Sequence, residues 1–265
     1  MKRIRHRYGG HRCQVGDLWL PDDHSEAKLP VVMLIHGGYW RSIYTKALMI
    51  GLARAVVQSG WAAWNVEYRR IGLAGGGGGW PATYSDISAA VDHVAKIPEV
   101  DSQRLVTCGH SVGGCFALWA AAEKTSTVEK MGDTNAVDEP PVRLRPRAAV
   151  SLAGVTDLER AERLELGNGA VARFVGGSPK DRPEPYAEGS PFALLPIGVP
   201  QVLIHGLDDE VVPPQMSSDY QKAAAAAGDD ATYVPVEGVG HRELIDPKGR
   251  GWPVISRELQ RLISS

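Results

Sequence analysis

The feature that most constrains the fold of this chain is the segment 104–115, RLVTCGHSVGGC. A short β-prone run at 105–108 leads into Gly109-His110-Ser111-Val112-Gly113, and the apolar, alanine-rich residues 115–122 predict a helix. Ser111 would then lie at the apex of a sharp turn at the carboxyl end of a strand, with glycines leaving room for the neighbouring backbone. Because Gly-x-Ser-x-Gly also occurs by chance, a catalytic role requires a base, an acid and an oxyanion hole elsewhere.

Strand and helix patterns alternate over most of the chain. Residues 31–35, VVMLI, form an apolar run without polar alternation, which is typical of a strand buried on both faces of a parallel sheet. Further strands are predicted at 15–20 (as an edge strand), 61–68, 105–108, 148–152, 199–205 and 232–236, and helices at 45–59, 83–95, 113–122, 158–166, 214–227 and 254–263. Such alternation requires crossover connections and predicts an α/β fold with a doubly wound, mostly parallel sheet.

The length of 265 residues predicts a single domain spanning 1–265. Between 154 and 191 the alternation breaks into charged residues, glycines and prolines around one helix pattern, which predicts a cap or lid inserted over the strand ends. Residues 124–147 are predicted to be an irregular loop. Five consecutive glycines at 75–79 predict a flexible surface loop, because a phosphate-binding loop needs a different glycine spacing.

The charge balance excludes several classes of partner. With 29 basic and 31 acidic residues the net charge is −2, which gives no field to attract nucleic acid or an anionic membrane. The basic residues within 1–7 are predicted to be a solvated end. No apolar run approaches the length of a membrane span, and the N-terminus lacks the apolar core of a signal peptide, so a cytoplasmic location is expected.

Cofactor motifs are missing from the sequence. Cys13, Cys108 and Cys115 are too few for a disulfide framework and are predicted to be buried thiols. The chain has no His-Glu-x-x-His, no Walker lysine motif and no dinucleotide fingerprint, so neither a metal nor an organic cofactor is predicted. The oligomeric state stays open, a homodimer included.

Candidate acid and base residues follow the last two predicted strands. A serine hydroxyl needs a base to take its proton, and in this type of fold the chain order is serine, acid, histidine. His241 lies in a glycine-rich loop after the strand 232–236 and is the candidate base. The acid is one of Asp208, Asp209 and Glu210, which follow the strand 199–205, whereas His205 is expected to order that loop by hydrogen bonding.

An oxyanion hole needs two or three converging N–H donors. The N–H of Val112 follows the serine directly at the helix start. The turn after the strand 31–35 supplies further donors, at Gly38 and Tyr39, with Gly37 as an alternative. Trp40 is a candidate wall of an acyl pocket and therefore a candidate substrate-binding residue, although single aromatic residues more often pack in a core.

These residues together resemble the α/β-hydrolase fold, within it the esterase and lipase-like group that includes hormone-sensitive-lipase-like esterases and kynurenine formamidase. The segments that match are His36-Gly37-Gly38-Tyr39-Trp40, Tyr68-Arg69, Pro81-Ala82 with Asp86, Gly109 to Gly114, Ser190-Pro191, His205-Gly206 with Asp209 and Val212-Pro213, and Gly240-His241. The resemblance places the acid at Asp209. The His-Gly-Gly-x-Trp form and residues 154–158 are similar to segments of kynurenine formamidase, whereas Tyr39 stands where the esterase group has a third glycine.

The sequence therefore predicts a serine hydrolase that cleaves a small-molecule ester or activated amide through an acyl-enzyme. Ser111 attacks, His241 transfers the proton, Asp209 orients His241, and the backbone of the serine and oxyanion turns stabilises the oxyanion. Three alternatives remain. One is an arylformamidase that hydrolyses N-formylkynurenine. Another is an exopeptidase of the prolyl-oligopeptidase type, although such enzymes usually carry a large extra domain, and the last is a non-catalytic ligand-binding relative.

Overall fold

An eight-stranded β-sheet forms the centre of the molecule. The computed structural model describes residues 1–22, 27–72, 74, 76–122 and 143–264. The strands are β1 (Lys2–Arg7), β2 (Val15–Leu20), β3 (Leu29–Ile35), β4 (Ala62–Val66), β5 (Val100–His110), β6 (Ala148–Leu152), β7 (Gln201–Gly206) and β8 (Ala231–Val236). Their order is β1-β2-β4-β3-β5-β6-β7-β8. β2 pairs antiparallel with β1 and β4, and all later pairs are parallel.

Helices connect the parallel strands. The α-helices of the described residues are α1 (Ile50–Gln58), α2 (Ala82–His93), α3 (Val112–Ala121), α4 (Leu158–Arg163), α5 (Ala170–Val175), α6 (Pro183–Gly189), α7 (Gln215–Ala226) and α8 (Gly251–Ser264). Short 3-10 helices lie at Lys46–Met49, Val94–Lys96, Pro191–Leu194 and Glu243–Ile245.

Strand β3 is buried on both faces, as its unbroken apolar run predicts. Val31 and Met33 pack in a core with residues of α2 and α3, whereas Val32 and Leu34 face the opposite core, which α1 and α8 cover. Successive side chains of a strand point to opposite faces, so helices on both faces require apolar residues at every position. The prediction of a doubly wound, mostly parallel sheet is confirmed.

The N-terminal strands differ from the sequence-based expectation. The basic start forms a strand, β1, that was not predicted, whereas its residues Lys2, Arg3, Arg5 and Arg7 are exposed to solvent, as expected. Its pairing makes β2 an interior strand between β1 and β4, where an edge strand was expected. The cause is Asp17 of β2, which is fully buried and binds Arg3 at 2.5 Å, Arg5 at 3.1 Å and Lys46. Arg3 and Arg5, on alternate positions of β1, therefore neutralise the buried carboxylate of β2. The sequence of β2 alone shows no counter-ion for it.

The segment 154–191 contains three short helices, α4 to α6, where one helix at 158–166 was expected. Its aromatic side chains join the core of the sheet. The ring of Phe174 stacks on Trp40 at 4.2 Å, and the carbonyl of Phe174 accepts the N–H of Trp80 at 3.0 Å. Glycines and prolines divide this segment into pieces too short to show a helical period, and tertiary packing stabilises them.

The described part of the glycine tract packs against the protein. The N–H of Gly78 donates to the carbonyl of Arg70 at 3.0 Å, and that of Gly79 to the Thr83 hydroxyl at 3.0 Å. Leu73 and Gly75, within or beside the predicted flexible loop, and most of the predicted loop 124–147 lie outside the described residues. Within the described ranges, the helices are all too short or too polar to cross a membrane.

Candidate active site

Ser111 occupies the sharp turn between β5 and α3. Its φ of 58° lies in a region that L-residues rarely adopt. Strand β5 and helix α3 approach so closely that a Cβ on Gly109 would lie 1.8 Å from the carbonyl oxygen of Gly113. A Cβ on Gly113 would lie 2.1 Å from the carbonyl oxygen of Ile35. Both glycines of the motif are therefore required by backbone approach, and the turn presents Ser111 at the carboxyl end of the sheet.

Asp209 and His241 are joined by a short hydrogen bond. Asp209 follows β7, His241 follows β8, and the distance between His241 Nδ1 and Asp209 Oδ2 is 2.6 Å. The other carboxylate oxygen accepts the backbone N–H groups of Val211 and Val212, both at 2.8 Å. The two alternative acids, Asp208 and Glu210, are exposed, whereas the Asp209 side chain is fully buried. Of the three carboxylates, the structure brings Asp209 to the histidine.

The protonation state of this pair follows from its surroundings. Burial raises the pKa of Asp209, but hydrogen bonds from His205 and His241, the nearby imidazole charge and the Val212 N–H outweigh burial and hold it well below its ordinary value. An ionised Asp209 accepts a hydrogen bond from the N–H at Nδ1 of His241. In the neutral imidazole the lone pair is then on Nε2, the form that can take a proton from a hydroxyl.

Four of the predicted site residues line a cleft of about 280 Å³. Ser111 and His241 line it together with both predicted oxyanion-turn residues, Gly38 and Tyr39. The other lining residues are Tyr44, Leu48, His110, Val211, Arg242 and Ile245. Of the described residues that line the cleft, none comes from 154–191, so the segment predicted as a cap does not form its wall.

The predicted oxyanion turn follows β3 at the same edge of the sheet. Gly38 has a φ of 112° and Tyr39 one of 49°, so two successive residues adopt backbone angles that reverse the chain beside Ser111. Val112 is the first residue of α3, and the N–H groups of a first helical turn have no acceptor within the helix. A Cβ on Gly37 would lie 2.8 Å from the Cβ of Ser111, so the turn after β3 lies beside the serine.

A buried network supports the oxyanion turn. His36 Nε2 lies 2.9 Å from Oε1 of Glu67, and the Tyr68 hydroxyl donates to the His36 carbonyl at 2.8 Å. Glu67 also accepts the backbone N–H of Lys46 at 3.1 Å. Burial raises the pKa of Glu67, but the hydrogen bond from His36 and the charges of His36 and Arg70 lower it below its ordinary value. The histidine of the His-Gly-Gly motif is thus a structural residue.

Trp40, the predicted substrate-binding residue, does not line the cleft. It is 1% exposed and stacks on Phe174 at 4.2 Å. Its φ of 57° continues the reversal that begins at Gly38 and turns the indole into the core. The tryptophan of the motif therefore packs beneath the turn and does not wall the acyl pocket.

His110 is a site residue that sequence reasoning missed. Its Nε2 lies 2.9 Å from the backbone carbonyl of His241, so it donates there and holds the histidine loop. Burial and the proximity of His241 lower the pKa of His110 to about 3, which keeps the ring neutral. The available signal was its position directly before Ser111, where a polar ring at a buried strand end needs a partner. His205 orders the acid loop, as expected, at 3.1 Å from Asp209.

The cysteines beside the serine turn are buried thiols, as predicted. Cys108 and Cys115, on either side of the serine turn, are free and fully buried, and burial raises the pKa of each thiol to about 12. In the described residues there is no group of three His, Cys, Asp or Glu side chains placed to hold a metal ion.

A serine on a sharp turn after β5, an acid after β7 and a histidine after β8 of a mostly parallel sheet define the α/β-hydrolase class. A truncated carbohydrate esterase from gut microbiota has a similar structure, with a TM-score of 0.80 and 19% identity over 100% of this chain and 97% of its own. The apo form of esterase 2 from Thermogutta terrifontis gives a TM-score of 0.75 and 21% identity over 98% of this chain and 91% of its own. At these identities the likeness shows the fold.

The chain belongs to the BD-FAE family, whose model matches residues 17–223. Esterase LipC of Mycobacterium tuberculosis is 25% identical over 261 residues, which are 92% of this chain and 60% of LipC. Esterase LipQ of the same organism is 26% identical over 229 residues, 83% of this chain and 52% of LipQ. The chain thus spans a little over half the length of these relatives. These matches confirm the resemblance to the esterase and lipase-like group.

Proposed function

We propose that the protein is a serine hydrolase that cleaves carboxylic esters with a small acyl group. The observation that supports this most directly is the 2.6 Å hydrogen bond between Asp209 and His241 at a cleft that Ser111 also lines. The esterase names of LipC, LipQ and the similar solved structures agree with this reaction class.

In the proposed reaction Ser111 Oγ attacks the carbonyl carbon of the ester while His241 Nε2 takes the hydroxyl proton. The carbonyl electron pair moves to oxygen, and the N–H groups of Gly38, Tyr39 and Val112 stabilise the oxyanion. Collapse of the tetrahedral intermediate expels the alcohol, which receives the proton from His241. Water then attacks the acyl-enzyme in the same way, and the carboxylic acid leaves.

The dimensions of the cleft indicate the size of the acyl group. A volume of about 280 Å³ lies just below the range of about 300–1,000 Å³ that is usual for ligand pockets. Leu48, Val211 and Ile245 give it apolar walls, and the first two remain 38% and 39% exposed. A short apolar acyl chain fits these walls, and we expect turnover to fall as the acyl chain of p-nitrophenyl esters lengthens.

The test combines labelling with three variants. A fluorophosphonate probe is expected to label Ser111, and S111A is expected to lose p-nitrophenyl acetate turnover by on the order of 10⁶-fold with an unchanged melting temperature. D209N is expected to lose about 10⁴-fold, because the amide favours the wrong tautomer of His241. D208N is the matched control, one residue away and exposed, and is expected to stay near wild type. Folded protein that the probe leaves unlabelled would instead favour a non-catalytic binding module.

An arylformamidase is the second candidate, with the same three side chains acting on the formamide bond of N-formylkynurenine. It rests on the His36-Gly37-Gly38-Tyr39-Trp40 motif, and the packing of Trp40 in the core gives that motif a structural explanation. Turnover of N-formylkynurenine measured beside p-nitrophenyl acetate decides between the two. We expect the ester to have the higher kcat/KM.

A further inference from the structure

A second, open pocket of about 550 Å³ lies on the far side of the oxyanion turn. It is lined by Arg41, Ser42, Ile43, Ile71, Gly72 and Arg173. Two of its walls are apolar because they are formed by Ile43 and Ile71. Ile43 is 75% exposed, and Ile71 is half-buried. The proposed ester hydrolysis uses none of these residues.

The guanidinium groups of Arg41 and Arg173 meet at one backbone carbonyl. Nη2 of Arg41 donates to the carbonyl of Gly167 at 2.6 Å, and Nη2 of Arg173 donates to the same oxygen at 3.3 Å. A guanidinium has five N–H donors, so this shared acceptor leaves most of their donors free to bind a ligand. One positive charge from the turn after β3 and one from α5 thus lie beside the same carbonyl oxygen.

Carboxylates of the described residues do not form ion pairs with these two arginines. Some other arginines are paired: Arg69 binds Asp86 at 2.6 Å, and Arg160 binds Asp219 at 2.7 Å. Two adjacent cations without a protein counter-ion repel each other, and an anion placed between them removes that repulsion. Arginine pairs of this kind bind planar carboxylates through parallel hydrogen bonds.

Tyr39 of the cleft lies against Gly167, whose carbonyl binds both arginines. The ring of Tyr39, which lines the cleft, lies 2.6 Å from the position that a Cβ on Gly167 would occupy. The Tyr39 hydroxyl donates to the carbonyl of Val211, another cleft residue, at 3.2 Å. Arg41 follows Tyr39 by two positions, and its N–H donates to the carbonyl of Gly38 at 3.0 Å. Contacts of Tyr39 therefore connect the cleft to the backbone carbonyl that the two arginines bind.

We propose that Arg41 and Arg173 form a subsite for a carboxylate carried by the ester substrate, at the end remote from the reacting carbonyl. The inference rests on the proposed esterase function. The apolar residues Ile43 and Ile71 contact the chain that links the carboxylate to the ester, and the two guanidinium groups bind the carboxylate oxygens. The substrates preferred by the enzyme are thus anionic esters with a short spacer.

The experiment compares two series of esters with spacers of increasing length. In one the carboxylate is on the alcohol, as in acetates of ω-hydroxy acids, and in the other it is on the acyl chain, as in monoesters of dicarboxylic acids. Each ester is measured beside a neutral ester of the same length in which a carboxamide replaces the remote carboxylate. For one of the two series, we expect kcat/KM of the carboxylate ester to exceed that of the matching carboxamide ester, and this ratio to reach a maximum of about tenfold or more at one spacer length.

Variants locate the effect. R173Q and R41Q are expected to reduce that ratio at least about tenfold, and ~1 M salt to reduce it in the wild type. R173E is expected to reverse the ratio in favour of cationic esters. R163Q is the matched control, an exposed arginine of the same segment that does not line the pocket, and is expected to keep the wild-type ratio.

Two outcomes would overturn the subsite: a ratio near one at every spacer length, or a ratio that R173Q leaves unchanged while neutral esters are still hydrolysed. Loss of hydrolysis of all neutral esters would instead contradict the proposed function. Calorimetric titration with the free ω-hydroxy acids then tests the subsite alone, since binding needs no turnover. The wild type is expected to bind an acid of the preferred length more tightly than R173Q does, and equal affinities would again overturn the subsite.

Discussion

Asp209 accepts hydrogen bonds from four donors in the described part of the chain. Two are the backbone N–H groups of Val211 and Val212, and two are the imidazoles of His205 and His241. His205 Nε2 faces Asp209 Oδ2 at 3.1 Å and the Val212 carbonyl at 3.0 Å, both acceptors, so that nitrogen bears a proton. Its Nδ1 then accepts a hydrogen bond from the hydroxyl of Ser217 at 2.8 Å. His205 is thus a positioning residue for the carboxylate.

At the residue scale, replacing His205 tests this role. H205L removes one hydrogen bond to a buried charge and is expected to lower kcat of p-nitrophenyl acetate hydrolysis by about ten- to a hundredfold, with little change in KM. H205Q keeps a donor near the Nε2 position and is expected to retain most of the activity. Equal losses in both variants, at equal melting temperatures, would mean that the ring only fills space.

At the scale of the element, the N-terminal strand owes its position to one buried carboxylate. Asp17 lies on β2 with its side chain fully buried, and its cations come from β1 and from the 3-10 helix that follows the oxyanion turn. Burial raises the pKa of Asp17, but hydrogen bonds from Lys46, Arg3 and Arg5 lower it below its ordinary value. A charged cluster therefore links the start of the chain to the segment beside the cleft.

The contribution of this cluster is expected to differ sharply between its members. D17N leaves Lys46, whose side chain is 10% exposed, without its counter-ion, and is expected to lower the free energy of unfolding by about 3–5 kcal/mol. R5Q removes a side chain that is 62% exposed and is expected to cost less than about 1 kcal/mol. Urea unfolding measures both. Similar losses for the two variants would contradict a buried charge at Asp17.

At the scale of the whole molecule, the segment 154–191 belongs to the same core as the sheet. Besides the stacking of Phe174 on Trp40, the Tyr84 hydroxyl of α2 donates to the carbonyl of Gly189 at 2.7 Å. The indole of Trp119 in α3 donates to the carbonyl of Glu188 at 2.9 Å. Buried hydrogen bonds as well as apolar contacts thus join α2 and α3 to the segment 154–191. This segment stabilises the fold next to the oxyanion turn.

The stability of the whole molecule is expected to depend on pH through His110. The pKa of this buried histidine is lowered to about 3, whereas an unfolded chain titrates near ~6.5. Between these values the unfolded state binds a proton that the folded state does not, so stability falls as pH decreases, by up to ~1.4 kcal/mol per pH unit.

Urea unfolding of wild type and H110N from pH 7 to ~4.5 isolates this effect. H110N is expected to have the shallower dependence, because its side chain does not titrate. The lowered pKa of Asp209 affects stability only at lower pH, since a carboxylate held ionised loses its contribution below its unfolded pKa of ~4. Parallel curves for the two proteins would mean that His110 is protonated in the folded state.

Much of the fold was predictable from the sequence because it depends on local patterns. The continuous apolar run of β3 specifies a strand buried on both faces, and Gly109-His110-Ser111-Val112-Gly113 specifies a sharp turn before a helix. Helix α4 was predicted, at 158–166, but helices α5 and α6 and the position of β2 were not predictable in this way. Their stability comes from residues distant in the chain, which a local period does not reveal.

The sequence by itself determined the alternation of strands and helices, the serine turn and the order of candidate acid and base, because backbone sterics and periodic burial act between neighbouring residues. Only the tertiary structure decided that Trp40 packs in the core. The resemblance had already placed the acid at Asp209, and the structure shows its contact with His241. The tertiary structure also brought Arg41 and Arg173 to one carbonyl. Such contacts depend on where a crossover returns each loop to the edge of the sheet, which the spacing of residues along the chain does not specify.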